Sequence, residues 1–266
     1  MRIYAHNLCE SFSLRSGYIC IMSLWCLDPN EIWFPYRNEM DGDRVAVGAD
    51  LSWDRVVIGF RKACFPFYHA GDEIAWYSPE KRAVFYPHLM HPKRCEEWKR
   101  NPKGWEFCWD EDFDSVIQHC QRDIHSENNW LHEETIAMYK VLHQQGFAHA
   151  LSVKSEGRLI GGLLGVAVGR MFYGLSMFHL EEGASKAALC YLISFLREKK
   201  WKLLDCQWMT PFLAQMGAVE IDREKFLDIL NVQVKFRTPR GNWSQSLTWK
   251  NKDPFPKRSD HPVEWP

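Results

Sequence analysis

Apolar residues fall in two runs, Leu159–Val168 and Met171–His179, separated only by Gly169 and Arg170. Two such runs joined by so short a turn predict an antiparallel hairpin. A polar loop follows, Glu181-Glu182-Gly183-Ala184. Beyond it Ala188, Leu189, Leu192, Ile193 and Leu196 recur at helical spacing. Ser185 is the expected cap of that helix, and Lys199 and Lys200 sit in its last turn, where cations suit the helix dipole. The next strand is predicted over Lys202–Trp208. Side chains alternate along a strand, so Asp205 and Gln207 should share one face and Leu204 and Cys206 the other. A carboxylate beside an amide at a strand end, behind a loop and a helix start, is a candidate catalytic pair. Spacing alone leaves a solvated strand end as the alternative.

Upstream, residues 1–32 show no clear period and are read as an N-terminal extension. Residues 33–81 read as a small N-terminal domain. Ser52 should cap a helix over Trp53–Ala63, Phe65-Pro66 ends it, and Ile74–Tyr77 is a strand closed by the Ser78-Pro79 turn. Residues 82–237 then alternate: strand Arg82–Tyr86, helix Pro92–Arg100, strand Trp105–Trp109, helices Asp112–Arg122 and Glu133–Gln145, and then the hairpin, helix and strand above. Pro211–Met216 is a short helix, Val219–Ile221 a strand, and Asp222 the expected cap of Glu224–Leu230. The order predicts an α/β (α+β) fold with a central mixed, largely antiparallel sheet. Residues 238–266 are rich in Pro, Asn, Ser and charge and predict an irregular tail, with Trp243, Trp249 and Trp265 as candidate pins.

Composition narrows the classes. The chain has 266 residues, 46% of them hydrophobic, and a net charge of −1. Nucleic-acid-binding domains are often strongly basic, so any RNA contact must come from a local patch. One run offers it: Lys81, Arg82, Lys93, Arg94, Lys99, Arg100 and Lys103, set against Glu80, Glu96 and Glu97. A solvated helix face is the other reading. Nine cysteines without a CxxC pair fit reduced thiols in a cytoplasm. His88, His91 and Cys95 make an incomplete zinc set, so no metal is expected. No run approaches the ~18 apolar residues of a membrane span, and residues 17–27 lack the marks of a signal peptide. Met22 is an alternative start.

The words Gly161-Gly162-Leu163, Gly174-Leu175-Ser176-Met177-Phe178, Ala184-Ser185-Lys186, Leu204-Asp205-Cys206-Gln207 and Met216-Gly217-Ala218 stand in one order and spacing. So do the earlier Gly48-Ala49-Asp50-Leu51-Ser52, Phe65-Pro66, Trp76-Tyr77-Ser78-Pro79, Leu142-His143, Gly146 and Ala148-His149. Over about residues 33–230 this resembles the leucyl/phenylalanyl-tRNA–protein transferases. The resemblance implies a small N-terminal domain followed by an acyltransferase-like domain of the GNAT type. It implies transfer of Leu or Phe from charged tRNA to the N-terminal α-amine of acceptor proteins, which is N-degron tagging. It implies no cofactor and no metal, a cytoplasmic monomer, and no membrane partner. Asp205 would take the proton from the attacking amine and Gln207 would orient or relay it. Leu163, Phe172, Met177 and Leu204 match the family's donor side-chain pocket. Phe67, where the family usually has Trp, and Trp130 would stack the terminal adenosine, with Lys81, Arg82, Lys93 and Arg94 on phosphates. Leu175, Ser176 and Glu181 would face the acceptor.

Two rivals remain at this level. A CoA-dependent GNAT N-acetyltransferase needs a glycine-rich loop for pyrophosphate, and Leu180–Lys186 offers one Gly and two acids instead. A non-catalytic descendant that binds tRNA or protein is suggested by the departures at Phe67, Leu175, Gly183 and Phe212, where the family tends to have Trp, Glu, Asn and His.

Overall fold

The computed structural model describes residues 24–89, 95, 104–121 and 129–244 in full, and the backbone alone of 13–15, 18–21 and 245–246. The expected helix over Pro92–Arg100, with Lys93 and Arg94, lies outside the described residues, as do His91 and most of the tail.

Two mixed sheets build the molecule. The first has the order β1-β2-β3-β4-β6-β5. Its strands are β1 (Ser13–Arg15), β2 (Tyr18–Ile21), β3 (Leu24–Leu27), β4 (Arg44–Gly48), β5 (Phe65–Pro66) and β6 (Ala75–Tyr77). The second comprises β7 (Lys81–Phe85), β8 (Glu106–Trp109), β9 (Ala148–Ser155), β10 (Arg158–Val168), β11 (Met171–His179), β12 (Leu203–Asp205) and β13 (Val219–Asp222). Its order is β13-β7-β12-β11-β10-β9-β8, and every neighbour is antiparallel except β11 and β12. The helices are α1 (Trp53–Arg61), α2 (Phe113–Cys120), α3 (Glu133–Gln144), α4 (Ala184–Glu198), α5 (Pro211–Met216), α6 (Arg223–Gln233) and α7 (Trp243–Ser246). The α/β class with a largely antiparallel mixed sheet is therefore as the pattern predicts.

The hairpin of β10 and β11 is central to the second sheet. It is apolar on both faces because both faces are covered. Leu163, Ala167 and Phe172 pack with α4, while Leu164, Val166, Val168 and Tyr173 join a core shared with α1, α2 and α3. That second core continues into Trp25, Val45, Phe60 and Trp76 of the first sheet region, and the Tyr173 hydroxyl donates to the Phe60 carbonyl at 2.7 Å. The chain passes from one sheet to the other between Tyr77 and Lys81, yet the core is continuous. Helix α4 starts very close to β10: a Cβ on Gly161 would lie 2.6 Å from the Ala184 Cβ. Glycine there lets the helix start rest on the sheet.

Several expectations change. Strands β1, β2 and β3, within the segment read as an extension, and β9 appear where the pattern gave no strand; the expected Lys202–Trp208 strand ends at Asp205. Gly183, with φ 90°, is the N-cap of α4, and Ser185 lies inside the helix. Asp222 begins α6 without a capping hydrogen bond and instead pairs with Lys81 at 2.5 Å. The thiols are not all reduced: Cys95 and Cys190 form a disulfide that ties Cys95 to the middle of α4. Cys95 is thereby removed from the incomplete zinc set.

Candidate active site

A cavity of about 1350 Å³ opens where β10, β11, the start of α4, the end of β12 and the start of α5 meet. Its floor is apolar: Leu163, Met177, Leu189, Leu192, Leu204 and Leu213 line it. Leu189 and Leu192 stand one turn apart on α4, a spacing that the sequence presents simply as core. One wall is aromatic. Phe67 stacks on Trp130, with centroids 5.9 Å apart and planes at 29°. Trp208 meets Phe67 edge-on at 5.1 Å. Polar groups converge on the same space: Asn129, Ser176, His179, Lys186, Gln207 and Thr210. Thr210 is held by helix capping, its hydroxyl accepting from the Leu213 N–H at 3.2 Å with Pro211 at the first helical position. That Thr-Pro signal is visible in the sequence, although no chemistry attaches to it there.

The Asp205–Gln207 pair is arranged differently from the alternation predicted by a strand. Gln207 has φ 64°, in the left-handed region, so the chain turns at the end of β12. Leu204, Cys206 and Gln207 all line the cavity, while Asp205 points away and is fully buried. Its carboxylate faces Arg82, whose Nε lies 3.1 and 3.0 Å from the two oxygens and whose Nη2 makes an ion contact at 2.8 Å. The guanidinium is itself enclosed, donating to the Ala63 carbonyl at 3.2 Å between the rings of Phe65 and Phe226. Asp205 Oδ1 also accepts the Gln207 N–H at 2.8 Å. The Gln207 carbonyl accepts from the Ala83 N–H at 2.9 Å. A non-glycine residue in this conformation costs about 1–2 kcal/mol, and these two bonds hold it there. Asp205 therefore fixes the backbone of Gln207 and does not itself enter the cavity.

Other expected residues divide in the same way. Leu163, Met177 and Leu204 line the cavity; Phe172 does not, being buried behind it against Trp109 and Trp243. Phe67 and Trp130 are brought together as expected. Leu175 and Ser176 are at the wall, the Ser176 hydroxyl donating to the Cys120 carbonyl at 3.5 Å. Glu182, not Glu181, lines the cavity. Arg82 is buried and cannot reach a phosphate, whereas Lys81 is exposed and ion-paired at the surface with Asp222. The Arg82–Asp205 pair joins residues 123 apart in sequence, which no local pattern signals.

Burial, with the Asp205 charge adding to it, pushes the Cys206 thiol well above its ordinary value. It stays protonated, which disfavours it as a nucleophile. The Ser185 hydroxyl is 3.4 Å from His179 Nδ1, at the loose limit of a hydrogen bond. Among the described residues no group of His, Cys, Asp and Glu could hold a metal ion, and no helix is long and apolar enough to cross a membrane.

The leucyl/phenylalanyl-tRNA protein transferase family model matches residues 84–231. The transferase of that name from Desulfatibacillum aliphaticivorans is 39% identical over 202 residues, covering 75% of this chain and 87% of the relative. That from Idiomarina loihiensis is 36% identical over 222 residues, covering 82% and 94%. A solved structure of L-PGS from Bacillus licheniformis superposes with a TM-score of 0.41 at 10% identity, covering 71% of this chain and 94% of the other.

Proposed function

The chain belongs to the leucyl/phenylalanyl-tRNA–protein transferase family, and from that premise we propose that it moves Leu or Phe from charged tRNA to the N-terminal α-amine of acceptor proteins. It is an aminoacyltransferase. The observation that carries the reading is the sequence of surfaces within one cavity. Leu204 lies in the floor, Gln207 presents an amide, and Trp208 belongs to the aromatic wall. Floor, amide and wall thus follow one another along a short stretch of chain.

The leucine-lined floor suits an aliphatic or benzylic side chain, and Met177 can adapt to either. Phe67, Trp130 and Trp208 suit the terminal adenine, since base–aromatic stacking contributes about 1–3 kcal/mol. The donor ester is already activated. The acceptor amine attacks its carbonyl carbon, the tetrahedral intermediate collapses, and the ribose oxygen leaves and takes a proton. The enzyme's work is to hold the two partners in register and to manage the amine proton. Gln207 is the group that orients the amine through its side-chain carbonyl. Asp205 acts as a positioning residue through the Gln207 backbone, with Arg82 holding Asp205. A protonated Cys206 fits direct attack by the amine and not a thioester route. Leu175 and Ser176, with Glu182 in place of Glu181, face the acceptor side.

A CoA-dependent acetyltransferase is disfavoured by Glu182 at the mouth, where its carboxylate would repel a pyrophosphate. We read the protein as acting in the cytoplasm, as a monomer, in N-degron tagging. The test is transfer of labelled Phe or Leu from charged tRNA to a panel of peptides without ATP, CoA or added metal. Label in peptide is expected; consumption of acetyl-CoA with charged tRNA untouched would replace this reading by its rival.

A further inference from the structure

The cavity opens at one end of the second sheet, and the opposite end carries a separate feature. There the β10–β11 turn, the α4–β12 loop and the segment after α6 come together. Arg170 follows the turn glycine, and its N–H donates to the Gln233 carbonyl at 3.1 Å. Gly169 has φ 62°, its N–H donates to the Thr238 hydroxyl at 2.7 Å, and a Cβ there would lie 2.3 Å from the Gln233 carbonyl oxygen. Residues 233–238 are thus locked onto the turn. Met171 pairs with Leu203 in parallel register, which brings Lys202 beside Arg170.

This construction gathers Arg170, Lys199, Lys200, Lys202, Lys235 and Arg237 on one end. All are exposed except Lys199, which is half-buried. None pairs with a carboxylate among the described residues. The three segments hold no acid, the nearest in sequence to the loop being Glu198 at the end of α4, although the whole chain has a net charge of −1. The Arg170 guanidinium lies 3.9 Å from the centroid of Phe236, itself an exposed aromatic, so the cation is held at the surface. Lys200 has φ 58° just past the end of α4, a position that favours glycine, so a lysine stands here against the local preference. The field reaches a neighbour: burial, and after it the charges of Lys202 and Arg197, lower the pKa of His88.

We infer that this end is a docking surface for the RNA phosphate backbone, and that it holds the body of the tRNA whose aminoacyl end occupies the cavity. The inference rests on the reading given under Proposed function. Unpaired lysines and arginines at high density, with an exposed aromatic among them, match a polyanion with regularly spaced phosphates. From Leu163 at the cavity to Arg170 the strand runs roughly 23 Å at 3.3 Å per residue. One tRNA can therefore engage both ends of the sheet.

The experiment compares the wild-type chain with Lys200→Glu/Lys202→Glu/Lys235→Glu/Arg237→Glu, and with Lys200→Gln/Lys202→Gln in case the fourfold reversal fails to fold. Binding of uncharged tRNA is measured across salt concentrations. Transfer is measured from full Phe-tRNA and from Phe esterified to a short 3′-terminal oligonucleotide. The fourfold variant should weaken tRNA binding at least tenfold, and each lost phosphate contact should flatten the plot of log K against log salt by about 0.7–0.9. KM for Phe-tRNA should rise with kcat unchanged, and the short donor should be used as by wild type. Wild-type tRNA binding that is weak, or unchanged in affinity and salt slope by the substitutions, overturns the surface. So does a rise confined to the KM of the acceptor peptide, which would assign this end to acidic protein. A wild-type chain that binds tRNA through this surface but transfers from neither donor would leave the surface standing and remove the aminoacyltransferase reading.

Discussion

Asp205 and Arg82 form a buried ion pair in which the Nε of Arg82 faces both carboxylate oxygens, at 3.1 and 3.0 Å, behind the wall of the cavity and not within it. Removing one member of such a pair leaves the other charge buried and alone, which costs about 3–5 kcal/mol, whereas removing both charges costs far less. Asp205→Asn should therefore lower the unfolding free energy by about that amount, and Arg82→Met/Asp205→Asn should recover much of it. Activity should not return in the double variant, since the Gln207 backbone has lost its charged acceptor. Denaturant unfolding of the wild type and the two variants, with transfer assays, checks this; equal losses in the single and double variants would count against the pair.

Gln207→Ala removes a half-buried side chain from the cavity while leaving its backbone bonds in place. Stability should stay within about 0.5 kcal/mol, the usual range for changes away from the core. Transfer should fall by about 10²-fold or more if the amide acts on the amine proton. Steady-state kinetics at saturating charged tRNA reads this out, and activity within a factor of two of wild type would remove Gln207 from the chemistry.

The cavity floor and the residues behind it should answer differently. Met177→Ala enlarges the floor and Leu163→Trp fills it, so the ratio of Leu to Phe transfer should move in opposite directions. Hydrophobic pockets discriminate by about 1–3 kcal/mol per methylene-sized change, so the preference should shift without becoming absolute. Phe172→Leu should cost stability, as core truncations do, but leave the ratio unchanged. Competition between the two charged tRNAs measures it, and a selectivity change confined to Phe172→Leu would relocate the donor pocket.

His149 gives the protein a pH response remote from the cavity. It is fully buried, stacks on Trp243 at 3.7 Å, and its Nδ1 meets Asp110 at 2.9 Å. Burial lowers its pKa, outweighing the hydrogen bond and charge of Asp110 and a backbone hydrogen bond at Gly146, which raise it; the charge of His143 also lowers it. The fold therefore favours the neutral ring, and the unfolded chain binds the proton first. That contribution is complete above the unfolded value of about 6.5 and is lost as pH falls below it, by up to about 1.4 kcal/mol per pH unit. His149→Asn should have a flatter dependence of melting temperature on pH between 6.5 and 5. Parallel curves for the two proteins would exclude His149 as the source.

The amino-acid sequence by itself determined the hairpin of Leu159–Val168 and Met171–His179, the helix after it and the class of fold. Each rests on local periodicity or on turn chemistry, and both faces of the hairpin being covered explains why its runs are continuously apolar. The order of short words also carried the family. Local periodicity could not find β9, whose buried run reads like any apolar stretch, nor the Cys95–Cys190 link. It also set Asp205 and Gln207 side by side, because alternation assumes the strand continues. The left-handed turn at Gln207 breaks that assumption. Only the tertiary structure turns Asp205 inward to Arg82 and Gln207 outward to the cavity, withdraws Phe172 behind the floor, and brings Arg170, Lys202 and Lys235 to one end. Those placements depend on partners far apart in the chain, and the energy of a buried pair is set by the packing that encloses it.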